Sequence, residues 1–172
     1  MKLKNALDQD VKLVQFRLKD DSRSIDEVSS MLQKTSALCA QAKAKLLLNI
    51  PQDHLRSIDL SKIEFDGYHA DSRMLNKLSL RPDGKLFSAS CHNLDELQKA
   101  EQLAADFAVL SPVQKTASHP EMAPLGWQQF SDLTGRCTMP VYALGGVTVE
   151  DMEYAWSHGA QGIAAISALW YK

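Results

Sequence analysis

The stretch Pro140-Val141-Tyr142-Ala143-Leu144-Gly145-Gly146-Val147-Thr148, continued to His158-Gly159-Ala160-Gln161-Gly162-Ile163-Ala164-Ala165-Ile166-Ser167, decides the fold. A short apolar run ends in a glycine pair. A helix then opens at Thr148 before Asp151 and stops at His158-Gly159, with glycine just past its end. A second apolar run, Gly162–Ser167, completes a strand–helix–strand unit. The same alternation extends back along the chain, with strands expected at Val11–Leu18, Lys45–Asn49, Phe65–Ala70, Lys85–Cys91, Asp106–Ser111 and Pro140–Gly145. A helical pattern follows nearly every run, so the expected class is α/β with a parallel sheet. Ser24-Ile25-Asp26-Glu27 reads as a capping box, followed by the stripe Ile25, Val28, Met31, Leu32, Leu38, Cys39 and Ala42. Asn93 before Glu96 opens a helix whose face is Leu94, Leu97, Ala100 and Leu103 or Ala104. Weaker helices are expected after Pro51, after Ser72 and over Trp127–Arg136, and Pro112–Gly126 reads as a long ordered loop.

Composition narrows the class further. The chain has 172 residues, with 19 Lys and Arg against 21 Asp and Glu and a net charge of −2. It is 45% hydrophobic and 23% charged, which fits one soluble domain over residues 1–172. There is no basic stripe for nucleic acid and no apolar run of the roughly 18 residues a membrane span needs. No apolar stretch follows Met1-Lys2-Leu3-Lys4-Asn5, so no signal peptide is expected. Cys39, Cys91 and Cys137 are an odd number without metal spacing, so a reducing cytoplasm is the expected location.

Ligand sites in parallel α/β proteins lie at the carboxyl ends of the strands, and there the chain turns polar. In the first run one face begins with Val11 and Leu13 and continues with Gln15, Arg17 and Lys19. Later runs end in Asn49, in His69 and Asp71, in Ser88, Ser90 and His92, in Ser111, and in Ser167. The loop after Ser111 carries Thr116, Ser118 and His119. Seven such ends point to a barrel with a polar mouth. Gly145 and Gly146 would let a backbone approach a ligand closely, the next helix would offer N–H groups, and Ser167 would end the neighbouring strand. In an eight-stranded barrel that place frequently binds phosphate. His69 and His92 read either as acid–base groups or as satisfied rim histidines, while His54 and His158 read as structural. Cys91 alternates away from His92, and His69, Asp71 and His92 lack a diagnostic metal spacing, so no metal site is expected from them.

Taken in order, Gln15-Phe16-Arg17-Leu18-Lys19, Asn49, Gly67-Tyr68-His69, Ser90-Cys91-His92, Ser111-Pro112 with Thr116, Val141–Gly146 and Gly159–Ala164 resemble the thiamin phosphate synthase and thiazole tautomerase (TenI-type) family. The resemblance runs from about Ala6 to Trp170, and Asp106–Gly126 is most similar to the branch fused behind Nudix hydrolase domains. It implies a TIM barrel and a thiazole phosphate ligand, with phosphate at Gly145, Gly146 and the backbone around Ser167. It also implies substrate contacts for Gln15, Arg17, Lys19, Asn49 and Ser90. The synthases' two Mg²⁺-binding acids match Ile50 and Met74 here, and their Thr-x-Thr-Lys matches Thr116-Ala117-Ser118-His119. Mg²⁺ is therefore expected only if synthase chemistry is retained.

The tautomerases need neither metal nor diphosphate, and His92 stands at the place of their acid–base histidine. Three readings follow from the resemblance: a thiazole phosphate binder acting as a tautomerase through His92, a thiamin phosphate synthase, and a non-catalytic sensing or partner domain. An enzyme is favoured. The resemblance also implies that the first strand of an eight-stranded barrel is missing, with Lys2–Asp8 as the first helix. The gap beside the Val11 and Gly162 strands is expected to be covered by N-terminal residues, by Trp170-Tyr171, or by a partner subunit such as a second copy of the chain.

Overall fold

Seven β-strands alternate with α-helices along residues 2–19, 23–82, 84–116 and 121–170, the residues that the structure, a computed structural model, describes. The chain divides into two units, Met1–His69 and Ala70–Lys172. The first holds α1 (Lys2–Asp8), β1 (Leu13–Arg17), α2 (Ile25–Gln41), β2 (Lys45–Asn49), α3 (Gln52–Ser57) and β3 (Gly67–Ala70), whose last residue begins the second unit. Strand β1 pairs parallel with β2 from Leu13 opposite Lys45 to Arg17 opposite Asn49, and β2 pairs parallel with β3. The second holds α4 (Ser72–Lys77), β4 (Leu86–Cys91), α5 (Leu94–Gln102), β5 (Phe107–Leu110), α6 (Gly126–Thr134), β6 (Val141–Leu144), α7 (Met152–Ser157), β7 (Gly162–Ala164) and α8 (Ser167–Trp170). Here β4, β5, β6 and β7 pair in that order, all parallel.

Every expected strand is present, and α1 falls on Lys2–Asp8. Four details differ from expectation. Ser167 opens α8 instead of ending a strand, because β7 stops at Ala164. Asp71, one residue before Ser72, caps α4, with its carboxylate accepting from the Met74 N–H at 2.8 Å. Thr148 opens a 3₁₀ turn, Val149–Asp151, before α7 begins. On α2, Met31 is exposed, and Ser36 takes the buried place between Leu32 and Cys39. Its hydroxyl is satisfied there by the Glu64 carbonyl at 2.7 Å. Tyr171 lies outside the described residues.

The core of the first unit gathers Val28, Leu32 and Cys39 of α2 with Leu46 and Leu48 of β2, plus Ile50 and Phe65. Val14 and Phe16 of β1 pack on it. A recurring clamp then fixes the starting ends of the strands. The Asp66 N–H donates to the Leu46 carbonyl at 2.8 Å while its carboxylate accepts the Leu46 N–H at 2.8 Å. In the second unit Asp106 does the same to Phe87, at 2.8 and 2.7 Å. Arg81 meets the Asp106 carboxylate at 2.6 Å. Each aspartate immediately precedes a strand, β3 or β5, and grips the strand before it.

The capping box of α2 makes a pH prediction. Glu27 accepts from the Ser24 N–H at 2.8 Å and the Ser24 hydroxyl at 3.0 Å. The backbone hydrogen bond, then the hydroxyl, hold its carboxyl below the ordinary value. A depressed acid stabilises the fold above its unfolded value and loses that contribution as pH falls through the folded one. Protection of the amides at the start of α2, relative to their intrinsic exchange rates, should therefore fall as the solution is acidified through the carboxylate range. Glu27→Gln should remove that dependence; an unchanged acid response in the variant would refute the assignment.

Candidate functional site

His92 follows the last residue of β4 and is half-buried. Its Nδ1 lies 2.8 Å from the Ser111 carbonyl oxygen, just past the end of β5. A carbonyl only accepts, so Nδ1 carries the hydrogen and Nε2 is the basic nitrogen of the neutral ring. The Ser111 hydroxyl is 3.3 Å from the same Nδ1. Ser111 is itself fixed, because its N–H donates to the Cys91 carbonyl at 3.0 Å. One ring nitrogen of His92 is thus anchored on the end of β5. Cys91 lies on the opposite face, fully buried, and burial with Glu96 nearby pushes its thiol up to about 12. It is not a nucleophile at neutral pH.

Ser88 and Ser90 share one face of β4, from buried Ser88 to half-buried Ser90, and His92 follows the strand's last residue. Gly145 and Gly146 follow β6 with φ of 96° and 72°, a region that favours glycine. Side-chain space at both is already filled from within the chain. A Cβ on Gly145 would stand 2.8 Å from Pro112, and one on Gly146 would stand 2.5 Å from the Lys115 carbonyl oxygen. The long loop is laced to this turn by Val113 N–H to the Leu144 carbonyl and Gln114 N–H to the Gly145 carbonyl, both at 2.9 Å. The glycines therefore seat the loop as well as shape the turn. At the following helical turn, the Asp151 carboxylate accepts the Thr148 N–H at 2.8 Å. Thr116 is half-buried, and Ser167 is exposed at the start of α8. Ser118 and His119 lie outside the described residues.

In the first unit, Gln15 and Arg17 are exposed on one face of β1, and Lys19 is exposed beyond its end. Arg17 is the register partner of Asn49. Asn49 is 7% exposed, and its Nδ2 is buried without a hydrogen-bond partner among the described residues. A buried donor left without an acceptor costs about 1–3 kcal/mol. Asn49→Leu, close in size, is accordingly expected to raise thermal stability by about 1 kcal/mol while weakening ligand binding; a destabilised variant would overturn this. His69, near the end of β3, is 2% exposed and has partners of its own.

The residues do not fit the synthases' Mg²⁺. Ile50 is packed in the apolar core of the first unit, at 2% exposure. Met74 lies in α4, where Asp71 spends one carboxylate oxygen capping its N–H. Among the described residues, no three His, Cys, Asp or Glu side chains are grouped to hold a metal.

Parallel strands in chain order with polar, anchored groups at their carboxyl ends define a TIM-barrel-like α/β protein. The chain belongs to the thiamine monophosphate synthase family (TMP-TENI), whose sequence model matches residues 1–169. It is 35% identical over 167 residues to the "Putative thiamine-phosphate synthase 2" of Aquifex aeolicus (strain VF5), covering 96% of this chain and 86% of that one. It is 28% identical to the "Thiamine-phosphate synthase" of Synechococcus sp. (strain CC9605), covering 97% of this chain but 46% of that one, so it spans about half of that protein. Among solved structures, a thiamine phosphate pyrophosphorylase from Pyrococcus furiosus superposes with a TM-score of 0.75 at 18% identity, over 96% of this chain and 77% of that one. That likeness shows the fold. Among the described residues no helix is long and apolar enough to cross a membrane.

Proposed function

We propose that the protein binds a thiazole phosphate of thiamin metabolism in the cytoplasm and moves a proton on it through His92. The observation that carries this reading is the Nδ1 contact with the Ser111 carbonyl, which leaves Nε2 as the proton acceptor. In the proposed step Nε2 takes a proton from one carbon of the ligand's ring system and returns it at another. The Ser111 carbonyl holds Nδ1–H while the ring is an imidazolium. The phosphate is assigned to the turn at Gly145 and Gly146 with the backbone near Ser167. Gln15, Arg17, Lys19, Asn49, His69, Ser90, Thr116, Ser118 and His119 are assigned to the rest of the ligand. The orphaned Nδ2 of Asn49 supports such an acceptor.

Incubation with the carboxythiazole phosphate tautomers, followed by NMR, tests the reading. Interconversion is expected. Ligand-induced thermal stabilisation without interconversion would replace it with a sensing domain. The synthase reading is supported by the thiamine-phosphate synthase relatives. Its assay combines pyrimidine diphosphate, thiazole phosphate and Mg²⁺. Only slow or absent formation of thiamin phosphate is expected, because nothing at Ile50 or Met74 can neutralise a leaving diphosphate.

A further inference from the structure

Glu96 is a buried acid whose bonds go beyond what its helix needs. It is 8% exposed, and burying a carboxylate is costly unless its oxygens are hydrogen-bonded. The start of α5 is already capped by Asn93, whose side chain accepts the Glu96 N–H at 2.9 Å. In the capping box of α2 the glutamate reaches back to the N–H of the capping residue itself, Ser24. Glu96 does not repeat that pattern. Its Oε2 passes Asn93 and accepts the backbone N–H of His92 at 2.7 Å, and its Oε1 accepts the Ser72 hydroxyl of α4. One side chain thus ties three points together: the end of β4, the start of α4 and the first turn of α5. His92 is therefore held twice, by its ring on Ser111 and by its backbone on Glu96.

Building on the reading of His92 as the acid–base group, we propose that Glu96 is the positioning residue of His92. By fixing the backbone at the end of β4, its carboxylate keeps the ring where Nδ1–H stays on the Ser111 carbonyl and Nε2 stays unprotonated. Nothing in this role requires Glu96 to touch the ligand. It acts through the geometry of one neighbour, where displacement by about 1 Å costs on the order of a hundredfold in rate.

The experiment compares wild type, Glu96→Ala, Glu96→Asp and Glu96→Gln by ¹⁵N NMR of the His92 ring and by kinetics. Wild type should show the Nδ1–H tautomer. Glu96→Asp keeps the charge at a favourable helix start but shortens the reach by one methylene, so it tests the role even if Glu96→Ala fails to fold. In either variant the Nε2–H tautomer should become populated, with kcat down about 10- to 100-fold and KM little changed. Glu96→Gln keeps the reach and an acceptor, so it should restore the tautomer and most of kcat. A lower Tm in Glu96→Asp with the wild-type tautomer and kcat would overturn the proposal and leave Glu96 purely structural. If wild type does not turn over the thiazole phosphates, the functional reading fails separately, and the tautomer signal still judges Glu96.

Discussion

His92→Gln is expected to keep thiazole phosphate binding and to lose about two to four orders of magnitude in kcat. Glutamine can place an amide hydrogen near the Ser111 carbonyl and so preserve much of the local packing. It has no basic nitrogen in place of Nε2, so the proton has no carrier. The loss should fall on kcat with KM largely unchanged, since the ligand's phosphate is assigned to the turn after β6 and not to this ring. Steady-state kinetics, with ligand-induced thermal shifts on the same samples, separate the two quantities. A variant that isomerises its substrate at the wild-type rate would remove His92 from the chemistry.

Gly146→Ala is expected to destabilise the protein by about 3 kcal/mol and to abolish phosphate-dependent binding. Its φ of 72° disfavours any side chain, and the added methyl would press to 2.5 Å from the Lys115 carbonyl oxygen and 2.8 Å from the Gln114 Cβ. Gly126 supplies the control. Its φ is nearly the same at 71°, yet nothing lies within 4 Å of its Cβ position. Gly126→Ala should therefore cost only the backbone part, about 1–2 kcal/mol. Chemical denaturation of both variants isolates the packing share at Gly146. Equal losses would mean that the loop Pro112–Lys115 yields freely and does not depend on the turn.

The alternation of strand and helix was legible because its signals are local. Ser24 with Glu27, Asn93 with Glu96, and glycine after His158 each act within a turn of the chain. Polar strand ends were legible for the same reason, and they singled out His92 and Asn49. What stayed hidden depends on partners distant in sequence. The packing of Gly145 and Gly146 against residues 112–115 lies 30 or more positions away. Ser36 could be buried because the Glu64 carbonyl meets it. Glu96 read only as the partner of Asn93, although its place four residues after His92 was the available clue. With Asp71 capping α4, the Ser72 hydroxyl is left for Glu96, a pairing that only the folded neighbours decide.

The paired aspartate clamps have a consequence for how such a protein can change. Asp66 and Asp106 grip Leu46 and Phe87 at the beginnings of the strands, while His92, Asn49 and the glycine turn occupy the opposite ends. Cohesion and the proposed chemistry are thus lodged at different ends of the same strands. Polar residues at the carboxyl ends can be exchanged while the clamps stay in place. A library randomised at those ends should return mostly folded proteins with divergent ligands, whereas one randomised at the clamps should return few folded proteins of any kind.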